Sequence, residues 1–224
     1  MTSEQYFGEW LKVIDKKELG LVLSKLNAEY RTKLICPAQC NVFKAFKLCS
    51  YNNLKAVFVG QDPFPQKDVA TGILFGNREE TSNKDLSPSL QIIKDSVANL
   101  DIPNNCAIFD PSLENWAEQG ILMLNSALTV EMNKIGSHVM LWRPFISNLL
   151  KRLSANKKDI IYVLFGKQAQ TFKPYINKHS NTILEEQHPA YYARTGIKMS
   201  SNVFMQVSEF TKEKYGVPIT WYKE

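Results

Sequence analysis

Four strand-like segments recur along the chain, and segments with helical spacing of apolar residues separate them. These segments lie at about 55–60, 121–124, 160–165 and 181–186. Short, mostly apolar segments of this kind are typical of strands buried within a parallel sheet. Strands that alternate with helices indicate a parallel sheet with helices on both faces. The sequence therefore predicts an α/β fold, a three-layer sandwich with a central four-stranded parallel sheet flanked by helices.

The helices between these strands follow from apolar spacing and from capping residues. They are predicted at about 5–26, 41–49, 87–100, 112–119 and 144–153, with one more beginning near 167 and a last one ending at Gly216. Ser87 is the predicted N-cap of the third helix, with Pro88 at its first position. Because we find no internal repeat, low-complexity tract or linker, we expect one domain over residues 1–224.

Polar side chains follow three of the four predicted strands. Gln61 and Asp62 follow the first strand, Asn125 follows the second, and His188 follows the fourth. The carboxyl ends of parallel strands lie along one edge of the sheet, where such folds bind ligands. Each residue taken alone is also an ordinary turn or loop residue. Together they predict a site in which a carboxylate, an amide and an imidazole converge.

Composition and charge restrict the classes of protein only broadly. The chain has 27 basic and 22 acidic residues, a formal net charge of +5, which is compatible with a polyanionic partner without requiring one. It has no apolar run of about 18 residues, so we expect no membrane span. The first residues lack a secretory pattern, so we expect a cytoplasmic protein. The spacing of Cys36, Cys40, Cys49 and Cys106 fits metal sites poorly, so free thiols and no metal are expected.

The residue types at the predicted edge suit recognition and cleavage of a pyrimidine nucleotide. An aspartate can position water or offset positive charge near a scissile bond. An asparagine amide can pair with N3–H and O4 of uracil, whereas cytosine presents the opposite polarity. A histidine can donate to charge that develops on an oxygen, and Phe75 offers a stacking face. The chain lacks the G-x-S-x-G, P-loop and G-x-G-x-x-G motifs of other enzyme classes.

Six motifs, in this order, resemble those of the family 1 uracil-DNA glycosylases. They are GQDPFP, GILF, LSPS, ILMLNSALTV, the Ser137–His138 pair and HPAYYAR. The resemblance covers residues from about 36 to 221. It implies a monomeric, cofactor-free enzyme that flips uracil out of DNA and hydrolyses its N-glycosidic bond. Free uracil and an abasic site would be the products, with no lyase step.

The resemblance also implies roles for individual residues. Asp62 would orient the attacking water and stabilise the sugar cation, and His188 would face uracil O2 as a neutral imidazole. The implied uracil-binding residues are Gln61, Phe64, Phe75 and Asn125. The implied DNA-binding residues are Ser87, Pro88, Ser89, His138, Ala190, Tyr191, Tyr192 and Arg194. For His138, a structural role is the alternative.

Phe64 and Pro65 stand where the family has Tyr-His. The family's tyrosine ring bars the 5-methyl group of thymine. Because phenylalanine keeps that ring, we expect discrimination between uracil and thymine to survive. The lost histidine predicts weaker DNA binding.

The second departure is in the loop that reads H-P-S-P-L-S in the family. Counting along the chain puts Tyr192 at the position of the leucine wedge and Tyr191 at the position of a proline. A tyrosine could fill the vacated base position by stacking, and Arg194 could recover a phosphate contact. The rewritten wedge predicts a stronger preference for single-stranded DNA than relatives show.

Two alternatives stay open at this point. One is a glycosylase with broadened pyrimidine specificity, and the other is a non-catalytic DNA-binding relative. The expected partner is uracil-containing DNA, single- or double-stranded, and a DNA-mimicking inhibitor protein is a further candidate. The expected location is the cytoplasm, at the nucleoid during action on DNA, or the nucleus for a eukaryotic or viral protein.

Overall fold

A computed structural model describes residues 2–98, 100 and 107–223 of the chain. The helices in the described residues are α1 Ser3–Phe7, α2 Lys16–Glu29, α3 Lys44–Leu48, α4 Pro88–Val97, α5 Glu114–Glu118, α6 Val139–Asn156, α7 Gly166–Gln170, α8 Pro189–Thr195 and α9 Asn202–Tyr215. The strands are β1 Ile35–Cys36, β2 Ala56–Gly60, β3 Ile121–Asn125, β4 Val130–Glu131, β5 Ile161–Phe165 and β6 Thr182–Glu186.

The central sheet has the order β3-β2-β5-β6, and all of its neighbouring strands are parallel. Every residue of β2, β3 and β5 is buried, as their continuous apolar sequences predict. β6 lies at one edge of the sheet and is partly exposed, which explains its more polar sequence. The register pairs Gly60 with Asn125, so the carboxyl ends of β2 and β3 lie side by side. The predicted four-stranded parallel sheet is confirmed.

Two predicted helices have different bounds in the structure. The helix predicted at 5–26 is divided into α1, a 3-10 turn and α2, because Asp15 caps α2 and accepts from the backbone N–H groups of Lys17 and Glu18. α6 begins at Val139, five residues before the predicted start. Pro144 lies inside α6 on its exposed side, not in its first turn.

A short antiparallel ribbon, which the sequence did not predict, joins β1 to β4. Ile35 pairs with Glu131 and Cys36 with Val130. The segment 132–138 that follows β4 turns towards the sheet edge, where the Asn133 N–H donates to the Pro65 carbonyl at 2.9 Å. We call this segment the β4–α6 loop. The ribbon therefore brings the loop next to the chain that follows β2.

The buried apolar side chains form one core cluster that reaches from Phe7 to Trp221. Its members include N-terminal residues that precede β1: Trp10, Val13, Leu19, Val22 and Leu26. Of the cysteines, Cys36 and Cys49 are free and buried, and Cys40 is free and exposed. Cys106 lies outside the described residues. No helix among the described residues is both long and apolar enough to cross a membrane.

Candidate active site

The carboxyl ends of β2, β3 and β6 open into a cavity of about 300 Å³. Asp62, Asn125 and His188 line it, together with the rings of Phe64 and Phe75. The three polar groups arrive from three strands because the sheet is parallel, so each strand ends at the same edge. The structure therefore brings the predicted carboxylate, amide and imidazole into one cavity.

Asp62 is held by a backbone group of the β4–α6 loop. The N–H of Gly136 donates to Asp62 Oδ2 at 2.5 Å. Burial raises the pKa of Asp62 above its ordinary value, and the hydrogen bonds from Gly136 and Gln61 oppose that rise. With one oxygen fixed in this way, the carboxylate can present its other oxygen to a water molecule.

Asn125 ends β3 with its side chain almost fully buried and its Oδ1 without a hydrogen-bond partner in the described residues. A buried carbonyl without a partner costs about 1–3 kcal/mol, so a group of this kind is commonly reserved for a ligand. Gly60 makes room beside it, since a Cβ there would lie 2.2 Å from Leu74 Cδ1 and 3.4 Å from Asn125 Oδ1. The amide is therefore available to a donor that enters the cavity.

His188 follows β6 and caps α8 with its own ring. The backbone N–H of Ala190 donates to His188 Nδ1 at 3.2 Å, so Nε2 carries the proton of the neutral ring. Burial lowers the pKa of His188, which favours this neutral form. Gly166 has φ +84°, and a Cβ there would lie 2.9 Å from His188 Cβ. The imidazole can thus donate one hydrogen bond from Nε2.

Phe75 forms part of the aromatic lining of the cavity. It is buried and has φ +63°, a left-handed conformation that is strained for an aromatic residue. Its ring makes edge contacts with Phe165 and His188, each with ring centroids 5.3 Å apart. Such contacts hold the ring in place beside the cavity that it lines.

Some of the other predicted site residues line the cavity and others do not. Ser89 and Ala190 line it. Gln61 lies outside the cavity lining, and its backbone carbonyl accepts from the Ala127 N–H at 2.9 Å and from the Ser126 hydroxyl at 2.8 Å. The remaining residues lie outside the cavity lining: Ser87, Pro88, His138, Tyr191, Tyr192 and Arg194.

Residues around the start of α4 and on α8 lie near the cavity. Ser87 accepts from the Leu90 N–H as the predicted N-cap and also exchanges hydrogen bonds with the Asn77 amide. Tyr192, the wedge by counting, is partly buried and packs against the core. Arg194 is exposed on the same helix. The DNA contacts of these residues remain predictions.

His138 is only 3% exposed, and both of its ring nitrogens face protein groups. Nδ1 lies 2.8 Å from Thr129 Oγ1, and Nε2 lies 3.2 Å from Glu29 Oε2. A ring in this position has no free nitrogen for a phosphate. The geometry therefore favours the structural alternative for His138 over the predicted DNA contact.

Sequence reasoning missed two residues of the β4–α6 loop that belong to the site. Gly136 binds Asp62, and Ile135 lines the cavity although it is 73% exposed. The only signal nearby was the Ser137–His138 pair, which gave no role to its neighbours. An exposed isoleucine beside a cavity offers apolar contact to whatever enters it.

Comparison with known sequences identifies the family of the chain. The model of the uracil DNA glycosylase superfamily matches residues 46–210. A protein of Mesomycoplasma hyopneumoniae (strain 7448), described as uracil-DNA glycosylase, is 34% identical over 205 residues, covering 89% of this chain and 89% of that protein. One of Campylobacter jejuni subsp. jejuni serotype O:23/36 (strain 81-176), described in the same way, is 33% identical over 216 residues, 95% of this chain and 91% of that protein.

Solved structures share the fold. The mimivirus uracil-DNA glycosylase superposes with a TM-score of 0.77 at 22% identity, covering 98% of this chain and 91% of that one. A Y322L variant of the mimivirus protein, in complex with UGI, superposes with a TM-score of 0.78 at 21% identity over 98% of this chain and 93% of that one. The Nitratifractor salsuginis protein gives a TM-score of 0.59 at 21% identity over 89% and 99%.

Proposed function

The chain belongs to the uracil DNA glycosylase superfamily, and we propose that it excises uracil from DNA with Asp62, Asn125 and His188 as its working groups. It is a DNA-repair glycosylase that hydrolyses the N-glycosidic bond, so its products are free uracil and an abasic site. The observation that carries the assignment of residues is the buried side-chain carbonyl of Asn125, which has no hydrogen-bond partner within the described part of the chain and shares a cavity with Asp62 and His188.

Asn125 supplies the recognition of the base. Its Oδ1 has no partner in the described residues, so it can accept from N3–H of uracil while its Nδ2 donates to O4. Cytosine presents an amino donor and an unprotonated N3 at these positions, which would oppose both groups. Phe75 gives the base a face to stack on, held by its contacts with Phe165 and His188.

Asp62 and His188 act on the two charges that develop as the bond breaks. The sugar becomes positive, and a carboxylate near it offsets that charge and orients water for attack. The uracil ring becomes negative, and the Nε2–H of neutral His188 can donate to its O2. A neutral donor suits this step because it stabilises the anion without transferring a proton.

The target nucleotide has to leave the base stack to reach this cavity. The residues on α4 and α8 near the cavity mouth are the proposed DNA contacts, because Ser89 and Ala190 from these helices already line it. The proposed partner is uracil-containing DNA, and a DNA-mimicking inhibitor protein is proposed as a second partner that would compete for the same surface. The proposal also includes action as a monomer in the cytoplasm. It includes a single domain over 1–224, which the common core cluster supports.

Alkali-revealed strand scission of a uracil-containing oligonucleotide tests the function. We expect the wild-type protein to give scission and Asp62→Asn to be slower by about 10²–10⁴-fold, the usual contribution of a positioned acid or base. Binding of the same oligonucleotide by Asp62→Asn is the control for folding. Wild-type protein without scission would overturn the proposal and favour a non-catalytic DNA-binding protein.

A further inference from the structure

We propose that Glu29 is a positioning residue for this reaction, acting on Asp62 through His138 and the β4–α6 loop. The proposal rests on the function proposed above, because it concerns the same carboxylate. Glu29 ends α2 and lies outside the residues that the family model matches, 46–210. A contribution to the site from this segment is therefore not one that the six motifs of the sequence imply.

The contacts of His138 determine where its protons lie. Trp142 Nε1–H, a donor only, donates to Thr129 Oγ1 at 2.7 Å. Thr129 in turn lies 2.8 Å from His138 Nδ1, and the Glu29 carboxylate lies 3.2 Å from Nε2. A carboxylate accepts only, so Nε2 must carry a proton. In the neutral ring Nδ1 then accepts from the Thr129 hydroxyl. Each donor and acceptor in this row of hydrogen bonds, from Trp142 to Glu29, then has a partner.

His138 stands at the end of the β4–α6 loop, two residues after Gly136. It is also the N-cap position of α6. The loop is held at its other end by β4 and at Asn133, whose N–H donates to the Pro65 carbonyl. The imidazole is thus the side chain that ties the end of the loop near Gly136 to α2.

The N–H of Gly136 is the group that this loop presents to the carboxylate of Asp62, at 2.5 Å. A hydrogen bond of this length fixes the position of one carboxylate oxygen and hence the direction in which the other points. Loss of the tie between Glu29 and His138 would let the loop end shift. Shifts of about 1 Å in a catalytic group can reduce rates by about 10²-fold. Even a small displacement of the loop end should therefore lower the rate.

The charges around His138 are shared among several side chains. Lys33 pairs with Glu29 at 2.8 Å and with Glu131 at 3.5 Å, and Glu131 also pairs with Lys134. The charged groups that face the ring are therefore Glu29, Lys33 and Glu131. When Glu29 alone is removed, Lys33 stays paired with Glu131. The substitution therefore acts on the loop without leaving an unpaired lysine.

The chain offers a matched control on the same helix. Glu18 of α2 also ties this helix to α6, through Arg152 at 2.8 Å and 2.9 Å and through Asn148 at 2.9 Å. It makes no contact with the β4–α6 loop among these hydrogen bonds. Glu18→Ala therefore removes a comparable link between α2 and α6 without touching the tie to His138.

The test compares Glu29→Ala, Glu29→Gln and Glu18→Ala with the wild type. We expect Glu29→Ala to lower kcat by about 10-fold or more with KM within about twofold, and Glu29→Gln to recover most of kcat because its amide oxygen still accepts from Nε2. The acid limb of the kcat–pH profile should move to higher pH only in Glu29→Ala, because the Gly136 hydrogen bond opposes the rise in the pKa of Asp62. Glu18→Ala should keep the wild-type kcat.

A second measurement does not depend on turnover. Hydrogen exchange of the Gly136 amide should be faster by about 10-fold or more in Glu29→Ala than in Glu18→Ala. The proposal would be overturned if Glu29→Ala kept the wild-type kcat, pH profile and Gly136 exchange. It would also be overturned if Glu18→Ala changed these three properties as much as Glu29→Ala does. If the wild-type protein releases no uracil, the proposed function fails, and exchange at Gly136 alone then decides whether Glu29 holds the loop.

Discussion

The hydroxyl of Tyr192 donates a 2.6 Å hydrogen bond to Oε1 of Glu186, the last residue of β6. The same carboxylate oxygen accepts from the Gln187 N–H at 2.7 Å. Burial and this carboxylate raise the pKa of Tyr192 to about 12, so the hydroxyl stays protonated and keeps donating. Tyr192 is therefore fixed to the sheet, and we predict that its neighbour Tyr191 is the tyrosine that enters DNA.

Exchange of each tyrosine should separate these roles. Tyr191→Ala should slow excision from a U·A duplex about 5- to 100-fold more than from single-stranded DNA, because a base stacked on an aromatic ring gains about 1–3 kcal/mol. Tyr192→Phe should keep the duplex rate and lose about 1–2 kcal/mol of unfolding free energy with its hydrogen bond. Initial rates on both substrates and urea unfolding measure the two effects. If Tyr192→Phe instead lost excision rate on the duplex only, the wedge role would belong to Tyr192.

The carboxylate of Asp62 should reduce the stability of the folded protein at neutral pH. Burial raises its pKa in the folded state, so the folded state favours the protonated acid. Stability is lost as the pH rises through that pKa and is fully present below the unfolded value near 3.8. Asp62→Asn should thus raise Tm at pH 7 by about 1–4 °C, and the gain should shrink towards pH 4.

Thermal melts from pH 4 to pH 8 check this expectation, with Glu80→Gln, an exposed acid, as the control for loss of one negative charge. A gain that is equal in both variants, or independent of pH, would contradict it. A fall in Tm for Asp62→Asn would show that the hydrogen bond to Gly136 outweighs the cost of burial.

The Phe64 ring should determine the exclusion of thymine. It lines the cavity that we propose receives the base, so its removal should open room for a 5-methyl group. Phe64→Ala should cleave thymine from a T·G duplex about 10- to 100-fold faster than the wild type, in the range that pocket filling usually gives. Phe64→Tyr should behave as the wild type does. Appreciable thymine release by the wild-type protein would instead favour the broadened specificity.

The imidazole of His188 should be neutral at pH 7 with its proton on Nε2. The Ala190 N–H occupies Nδ1, and burial lowers the pKa of the ring below its ordinary 6.5. Nitrogen-15 NMR of the histidine rings reads both the tautomer and the titration, with exposed His179 as the reference signal. We expect His188 to stay neutral as the pH falls through 6.5 and to protonate only below it. A doubly protonated ring at pH 7 would contradict the neutral donor.

The bounds of the central strands could be predicted closely because these strands are buried along their whole length. β2, β3 and β5 are buried at every position, so their apolar runs mark their bounds within about one residue. The start of α6 could not be predicted in this way. Pro144 suggested a first helical turn, yet the helix begins at Val139, where tertiary contacts of His138 set its position.

The site was predictable as far as it depends on strand ends. Asp62, Asn125 and His188 follow from the parallel sheet alone, since each lies at the end of a strand or within two residues of it. Gly136 and Ile135 come from a loop whose place is set by the short β1–β4 ribbon and by a hydrogen bond to Pro65. Two-residue strands and backbone amides leave no pattern in the residue types, so that part of the site needed the structure.

The apolar core extends into the N-terminal helices, beyond the residues that the family model matches. Residues such as Trp10, Leu19 and Leu26 lie in the same apolar core as the sheet, although the family match begins at residue 46. A fragment trimmed to the matched region would keep Asp62, Asn125 and His188 and expose a large apolar surface to water. Such a fragment should aggregate, and any library or fusion built on this enzyme should keep its first 45 residues.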